Sequence, residues 1–117
     1  MISASSSTLS ALQAFGTKLQ SNANNIANAN TDGYKKTRAT LATAAPQGVR
    51  AQVEQSSTPG PTVYREGESG VEPVELSNVD LGNELPEMNL NSTYYKANLK
   101  TIQAEDEMLG SLLQIKA

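Results

Sequence analysis

Leu90–Ile115 reads LNSTYYKANLKTIQAEDEMLGSLLQI, and its reading decides the fold. Leu90, Tyr94, Ala97, Thr101, Ala104, Met108, Leu112 and Ile115 follow one another at spacings of three and four, the pattern of one stripe along an α-helix. A second series overlaps it: Leu81, Leu85, Met88, Ser92, Tyr95, Leu99, Ile102, Asp106, Leu109 and Leu113. At 100° per residue the two stripes lie roughly 150° apart. A helix that packs once needs one apolar side, whereas a helix apolar on two sides is sandwiched between neighbours. Proline is tolerated only in the first turn, so Pro86 puts the helix start at residues 83–86. The predicted length is about 45 Å at 1.5 Å per residue.

The other end of the chain repeats the pattern more weakly. Ile2, Ser5, Leu9, Leu12, Gly16, Leu19, Ala23 and Ile26 form a seam, with Ala4, Ala11 and Phe15 on the opposite side. Asp32-Gly33 supplies the turn that stops this helix. Between the helices the chain is punctuated by Pro46, Pro59, Pro61 and Pro73. Val49–Val53 alternates, Thr62–Arg65 is a second β-like run, and Ser56–Pro61 joins them, which predicts one small hairpin followed by an extended stretch through Val71, Val74 and Leu76. The expected fold is therefore mainly α: long N- and C-terminal helices packed as an antiparallel coiled coil, with a small β-hairpin and loop insertion. Residues 1–36 and 80–117 form the discontinuous helical core, and residues 37–79 the insertion.

Composition narrows the chemistry. The 117 residues suffice for one domain. There is no Cys for a disulfide or thiol, and no His for the commonest general base and metal ligand. No catalytic, cofactor or metal site is predicted, and an enzyme is not expected. No apolar run exceeds two residues, so membrane insertion and a cleaved secretory signal are not expected either. The net charge of −3 is unevenly placed: residues 1–50 hold five basic groups and one acid, and residues 51–117 hold four basic groups and eleven acids. The basic group is too small to predict nucleic-acid binding. The asymmetry fits one end of the chain packing against the other, or against the next copy. Glu105-Asp106-Glu107 reads as a solvated helical run, and Asn91-Ser92-Thr93 as a chance glycosylation triplet.

Residues 21–36 carry the most specific string, SNANNIANANTDGYKK. Asn is a poor interior helix former but offers both donors and an acceptor where a helix ends. Asn25-Ile26-Ala27-Asn28, Asn30-Thr31 and Gly33-Tyr34-Lys35 stand at the spacing of a signature, and the string resembles that of the flagellar axial family of rod, hook and hook-associated subunits. Asp32 stands where relatives often have Pro. Tyr95-Lys96-Ala97-Asn98-Leu99 resembles the family's C-terminal signature. Gly48-Val49, Pro59, Val63-Tyr64 and Ser77-Asn78-Val79-Asp80 make the middle most similar to proximal rod members.

The resemblance implies a structural subunit of the basal-body rod, exported unfolded through the flagellar type III apparatus without a cleaved signal. It would assemble helically with copies of itself and with other rod subunits. The implied subunit interface comprises Leu9, Leu12, Phe15, Leu19, Asn25, Ile26, Asn28, Thr31, Gly33 and Tyr34 at the first end. Tyr95, Asn98, Leu99, Ile102, Met108, Leu109, Leu112 and Leu113 complete it on the last helix. Two rival readings are a short hook or distal-rod homologue, and a coiled-coil adaptor or export chaperone.

Overall fold

The computed structural model describes residues 2–116. Helix α1 (Ile2–Ala27) leads into two hairpins, β1 (Thr37–Thr43) with β2 (Val49–Gln55) and β3 (Thr62–Gly67) with β4 (Gly70–Glu75). Helix α2 (Leu81–Lys116) closes the described chain. The molecule measures 80 × 24 × 20 Å, and at 1.5 Å per residue α2 alone accounts for about 54 Å of the long axis.

Several sequence expectations are corrected. The chain is not mainly α with a coiled coil at its heart. It has four strands in two separate antiparallel sheets, and α1 packs on the first sheet as well as on α2. Nor does Val49–Val53 pair with Thr62–Arg65. β2 pairs with β1, Thr37 opposite Gln55 through Thr43 opposite Val49, and β3 pairs with β4. The missed strand is TRATLAT, whose three threonines suit a pleated, half-buried surface. The start of α2 also moves forward to Leu81. Asp80 caps it, its carboxylate accepting Gly82 N–H at 3.0 Å and its carbonyl accepting Glu84 N–H at 3.0 Å. Pro86 therefore sits inside the helix and forfeits one backbone bond to Gly82.

α1 works on two sides. Ser5, Phe15 and Asn22 face α2: Ser5 Oγ donates to Glu105, the Phe15 and Tyr94 rings stand 5.3 Å apart, and Asn22 meets both Glu84 and Asn91. These pairs run in opposite order along the two helices, so α1 and α2 are antiparallel. Ser10 and Ser21, turned about 100° or more from each of these at 100° per residue, face the first hairpin, and Asn25 lies at the border of the two sides, reaching Glu84 as well. Ser10 accepts Val49 N–H at 3.2 Å, while Ser21 and Asn25 bind Thr37. Gly48 is required there: its φ is 133°, and a Cβ would stand 2.6 Å from Ser10 Oγ.

The interior is small and more polar than apolar. Among the described residues the buried apolar side chains are Leu12, Ala14 and Ala39, against the buried polar Thr8, Ser21, Asn22, Asn25, Ser77, Glu84 and Asn91. The side chain of Ile2, first in the N-terminal stripe, lies outside the described residues. On α2 the residues turned toward α1 are Glu84, Met88, Asn91, Tyr95, Asn98, Ile102 and Glu105, all buried or half-buried. They alternate at four and three, a heptad seam in which every other rung is polar. Apolarity alone predicted Leu85, Ser92, Leu99 and Asp106 in those rungs, one residue too far round. Leu85, Leu99 and Asp106 are exposed, and the acids in the seam are instead Glu84 and Glu105, each hydrogen-bonded to α1.

Candidate assembly interface

The signature segment folds on itself before it can face anything else. Past Ala27, Asn28 N–H still reaches Asn24 C=O at 3.1 Å, and its amide donates to the same carbonyl at 2.9 Å. Thr31 N–H then reaches Asn28 C=O at 3.0 Å while Thr31 Oγ1 donates to Asn28 Oδ1. Gly33, at φ 72°, turns the chain so that its N–H meets Glu75 C=O at 2.9 Å. A short polar coil thus ends the helix and delivers Tyr34 back beneath it.

Asn25 is the hub. Only 1% of it is exposed. Its Oδ1 accepts Thr37 N–H at 2.9 Å and Tyr34 O–H at 3.1 Å, and its Nδ2 donates to Thr37 C=O at 2.7 Å and to Glu84 Oε1 at 3.1 Å. The amide pairs with both backbone groups of Thr37 as a neighbouring strand would, so β1 is stitched to α1. Asn22 carries the chain of bonds onward, donating to Glu84 Oε2 at 2.8 Å and accepting from Asn91 at 2.8 Å. Among the described residues every buried side-chain nitrogen and oxygen has a partner, as a buried polar network must to avoid a desolvation penalty. A hollow of about 810 Å³ opens beside it, lined by Lys18, Lys36, Arg38, Glu54, Glu84 and Glu87 among others. Its charged lining is three cations and three carboxylates.

A second junction fixes the hairpin bases. Lys35 Nζ pairs with Glu75, which also accepts Gly60 N–H at 3.2 Å. The Lys35 hydrogen bond, then that from Gly60, holds the Glu75 carboxyl below the usual carboxylate range. Asn78 ties three segments, accepting Lys36 N–H at 2.7 Å and donating to Thr58 C=O at 2.8 Å.

The sequence-derived interface residues fall into three groups. Asn25, Leu12 and Tyr34 are engaged inside the chain, Asn25 and Leu12 buried and Tyr34 half-buried. Phe15, Leu19, Ile26, Asn28, Tyr95, Asn98 and Ile102 are half-buried. Leu9, Thr31, Gly33, Leu99, Met108, Leu109, Leu112 and Leu113 are exposed. Leu99, Met108, Leu109, Leu112 and Leu113 share α2 with the further exposed Leu90, Tyr94 and Ile115. Sequence reading missed Asn22, Ser21, Thr37, Glu84 and Asn91. The signal available was the seven-residue repeat of polar residues, Glu84, Asn91, Asn98 and Glu105, opposite an asparagine-rich helix end. Among the described residues no helix is long and apolar enough to cross a membrane.

Two family profiles match the chain, at its two ends. Residues 6–35 match the profile described as "Flagella basal body rod protein", and residues 70–115 match "Flagellar basal body rod FlgEFG protein C-terminal". No curated protein matches. The first match covers the asparagine hub and its coil, and the second covers β4, the capped start of α2 and the exposed stripe.

Proposed function

Because the chain belongs to the flagellar rod and hook axial family, we propose that it is a subunit of the basal-body rod, most like those of the proximal rod. The family makes it a structural component of the flagellar axis, working among other flagellar subunits at the basal body. In this reading the terminal helices assemble helically with copies of the chain and with other rod subunits, forming part of the drive shaft. Residues 1–36 and 80–117 act as the assembly core and residues 37–79 as its outer insertion. The chain reaches that site through the type III export apparatus.

One observation carries the reading. From residue 106 onward α2 extends past its last bond to α1, at Glu105, with Met108, Leu109, Leu112, Leu113 and Ile115 uncovered, Ile115 to 82%. Leu90 and Leu99, on different sides of the same helix, are also exposed, so α2 carries apolar area that the chain itself does not cover. Large bare apolar surfaces mark sites of association. Leu9, Phe15, Leu19, Ile26, Leu99, Ile102 and the exposed C-terminal residues are the side chains proposed to meet neighbours. Asn25, Asn28, Thr31, Gly33 and Tyr34 hold the coil that positions them, with Leu12, Tyr95 and Asn98 setting the helix pair.

Imaging basal bodies with and without the chain tests this. Rod density should contain an α2-length helix traceable to this sequence, and that density should vanish in the deletion. An intact, motile rod built without the chain would overturn the assignment.

A further inference from the structure

The second hairpin is the part of the molecule with least to hold it. Among the described residues β3–β4 packs against neither helix and belongs to its own sheet. It is tied at its base, by Gly33 N–H to Glu75 C=O, by Leu76 N–H to Pro61 C=O at 2.8 Å, and by Arg65 to Asp32 at 2.7 Å. A lone two-stranded hairpin is marginal in water, and this one leaves apolar surface open, with Tyr64 73% and Val71 69% exposed. The register sets Thr62 opposite Glu75, Tyr64 opposite Pro73 and Glu66 opposite Val71. These six share one face: an apolar centre with a carboxylate at each of two diagonal corners. Glu75 is already engaged by Lys35, while Glu66 is exposed and Glu68 follows it in the turn.

The first hairpin offers the complement. The side bearing buried Ala39 lies on α1. Its other side sets Arg38 opposite Glu54, Thr40 opposite Gln52 and Ala42 opposite Arg50. That face has a flat centre and an arginine at each of two diagonal corners. The arginines, like Glu66 and Glu75, are separated by four ladder steps, roughly 13 Å at 3.3 Å per residue. Within one chain the two faces do not meet.

We propose that β3–β4 of one copy lies face-on across the outer side of β1–β2 of the next copy. Tyr64 and Pro73 then cover Thr40 and Gln52, and Glu66 and Glu68 reach an arginine corner. A tyrosine ring beside a guanidinium adds a cation–π contribution. The contact joins two different surfaces, so it repeats from copy to copy, as an open helix wherever the rotation does not close a ring. It rests on the reading of the chain as a self-assembling rod subunit, and concerns the layer outside the helices.

The chain has no cysteine, so introduced ones report cleanly. Full-length Tyr64→Cys and Gln52→Cys chains are mixed under assembly conditions and oxidised, with a Leu112→Cys chain reporting on the helix stripe. The mixed 64–52 disulfide should exceed either self-pair. It should fall several-fold when the first copy also carries Glu66→Lys and Glu68→Lys, and return when the second copy carries Arg38→Glu and Arg50→Glu. Cross-linking through Leu112→Cys without any 64–52 bond would remove this contact and leave the rod reading intact. No cross-link at either place would remove both. A 64–52 bond indifferent to the charge changes would overturn the proposed complementarity.

Discussion

α1 and α2 are both long, yet they are treated oppositely by the fold. α1 is gripped on two sides, by α2 and by the first hairpin, and its last two turns bury Ser21, Asn22 and Asn25. α2 is gripped on one side, through a seam that is polar at every other rung, and its leucines look outward. The difference teaches where the chain spends its specificity. Hydrogen bonds fix internal geometry, leaving apolar area, the non-directional source of association free energy, for neighbours.

The heaviest blow to that contrast should be Asn25→Ala. It strips partners from Thr37, Tyr34 and Glu84 in a buried setting, and leaving buried groups unpaired costs about 1–3 kcal/mol each. We expect a loss of about 3 kcal/mol, measured by chemical denaturation, with β1 freed from α1 in hydrogen exchange. Gly60→Ala should cost less, about 2 kcal/mol as an overpacking change, because a Cβ there would stand 2.0 Å from Leu76 C=O and loop 57–61 must shift. Its effect should stay at the base of the second hairpin and spare the helix seam.

Leu112→Ser inverts the test. The site is 55% exposed, so stability should move by less than about 0.5 kcal/mol, while self-association by sedimentation drops sharply. Equal loss of folding and assembly would mean that α2 is structural throughout. The smallest effect concerns Glu75. Its carboxyl is held below the ordinary value in the folded chain, so its contribution is present above the unfolded pKa and disappears as pH falls through the folded one. A carboxyl-detected titration should show the depressed midpoint. In Lys35→Met it should return toward the ordinary range, and acid should no longer loosen Gly33 and Gly60 amides first.

Much of this was legible from residues alone, and what was not has a physical reason. Helix α1 ends at Ala27, one residue past the end of its apolar series at Ile26, and the Asp32-Gly33 turn follows after a short coil, because turn chemistry is local. The phase of α2 was read one residue off, because the reading followed leucines and the seam follows Glu84 and Asn91. Polar residues bury only where partners meet them, and those partners, Asn22 and Asn25, lie about 60 to 70 positions away in sequence. Strand β1 was overlooked for a related reason: TRATLAT earns its place by what lies beneath it. The Asn91 triplet shows the same dependence in reverse. At 1% exposure its amide is already donated to Asn22, so no glycan could be attached to it in the folded chain.

Because the polar rungs of α2 recur every seven residues, sliding one helix past the other by a single repeat, about 10.5 Å, would present Asn98 where Asn91 now sits, one amide exchanged for another. The ladder by itself tolerates such a ratchet step. The stop is at its foot, where Glu84 meets two asparagines directly below the Asp80 cap, and a slide would carry that carboxylate off them. How far the bare tip of α2 projects is thus set in increments of a heptad and read out at the opposite end of the molecule.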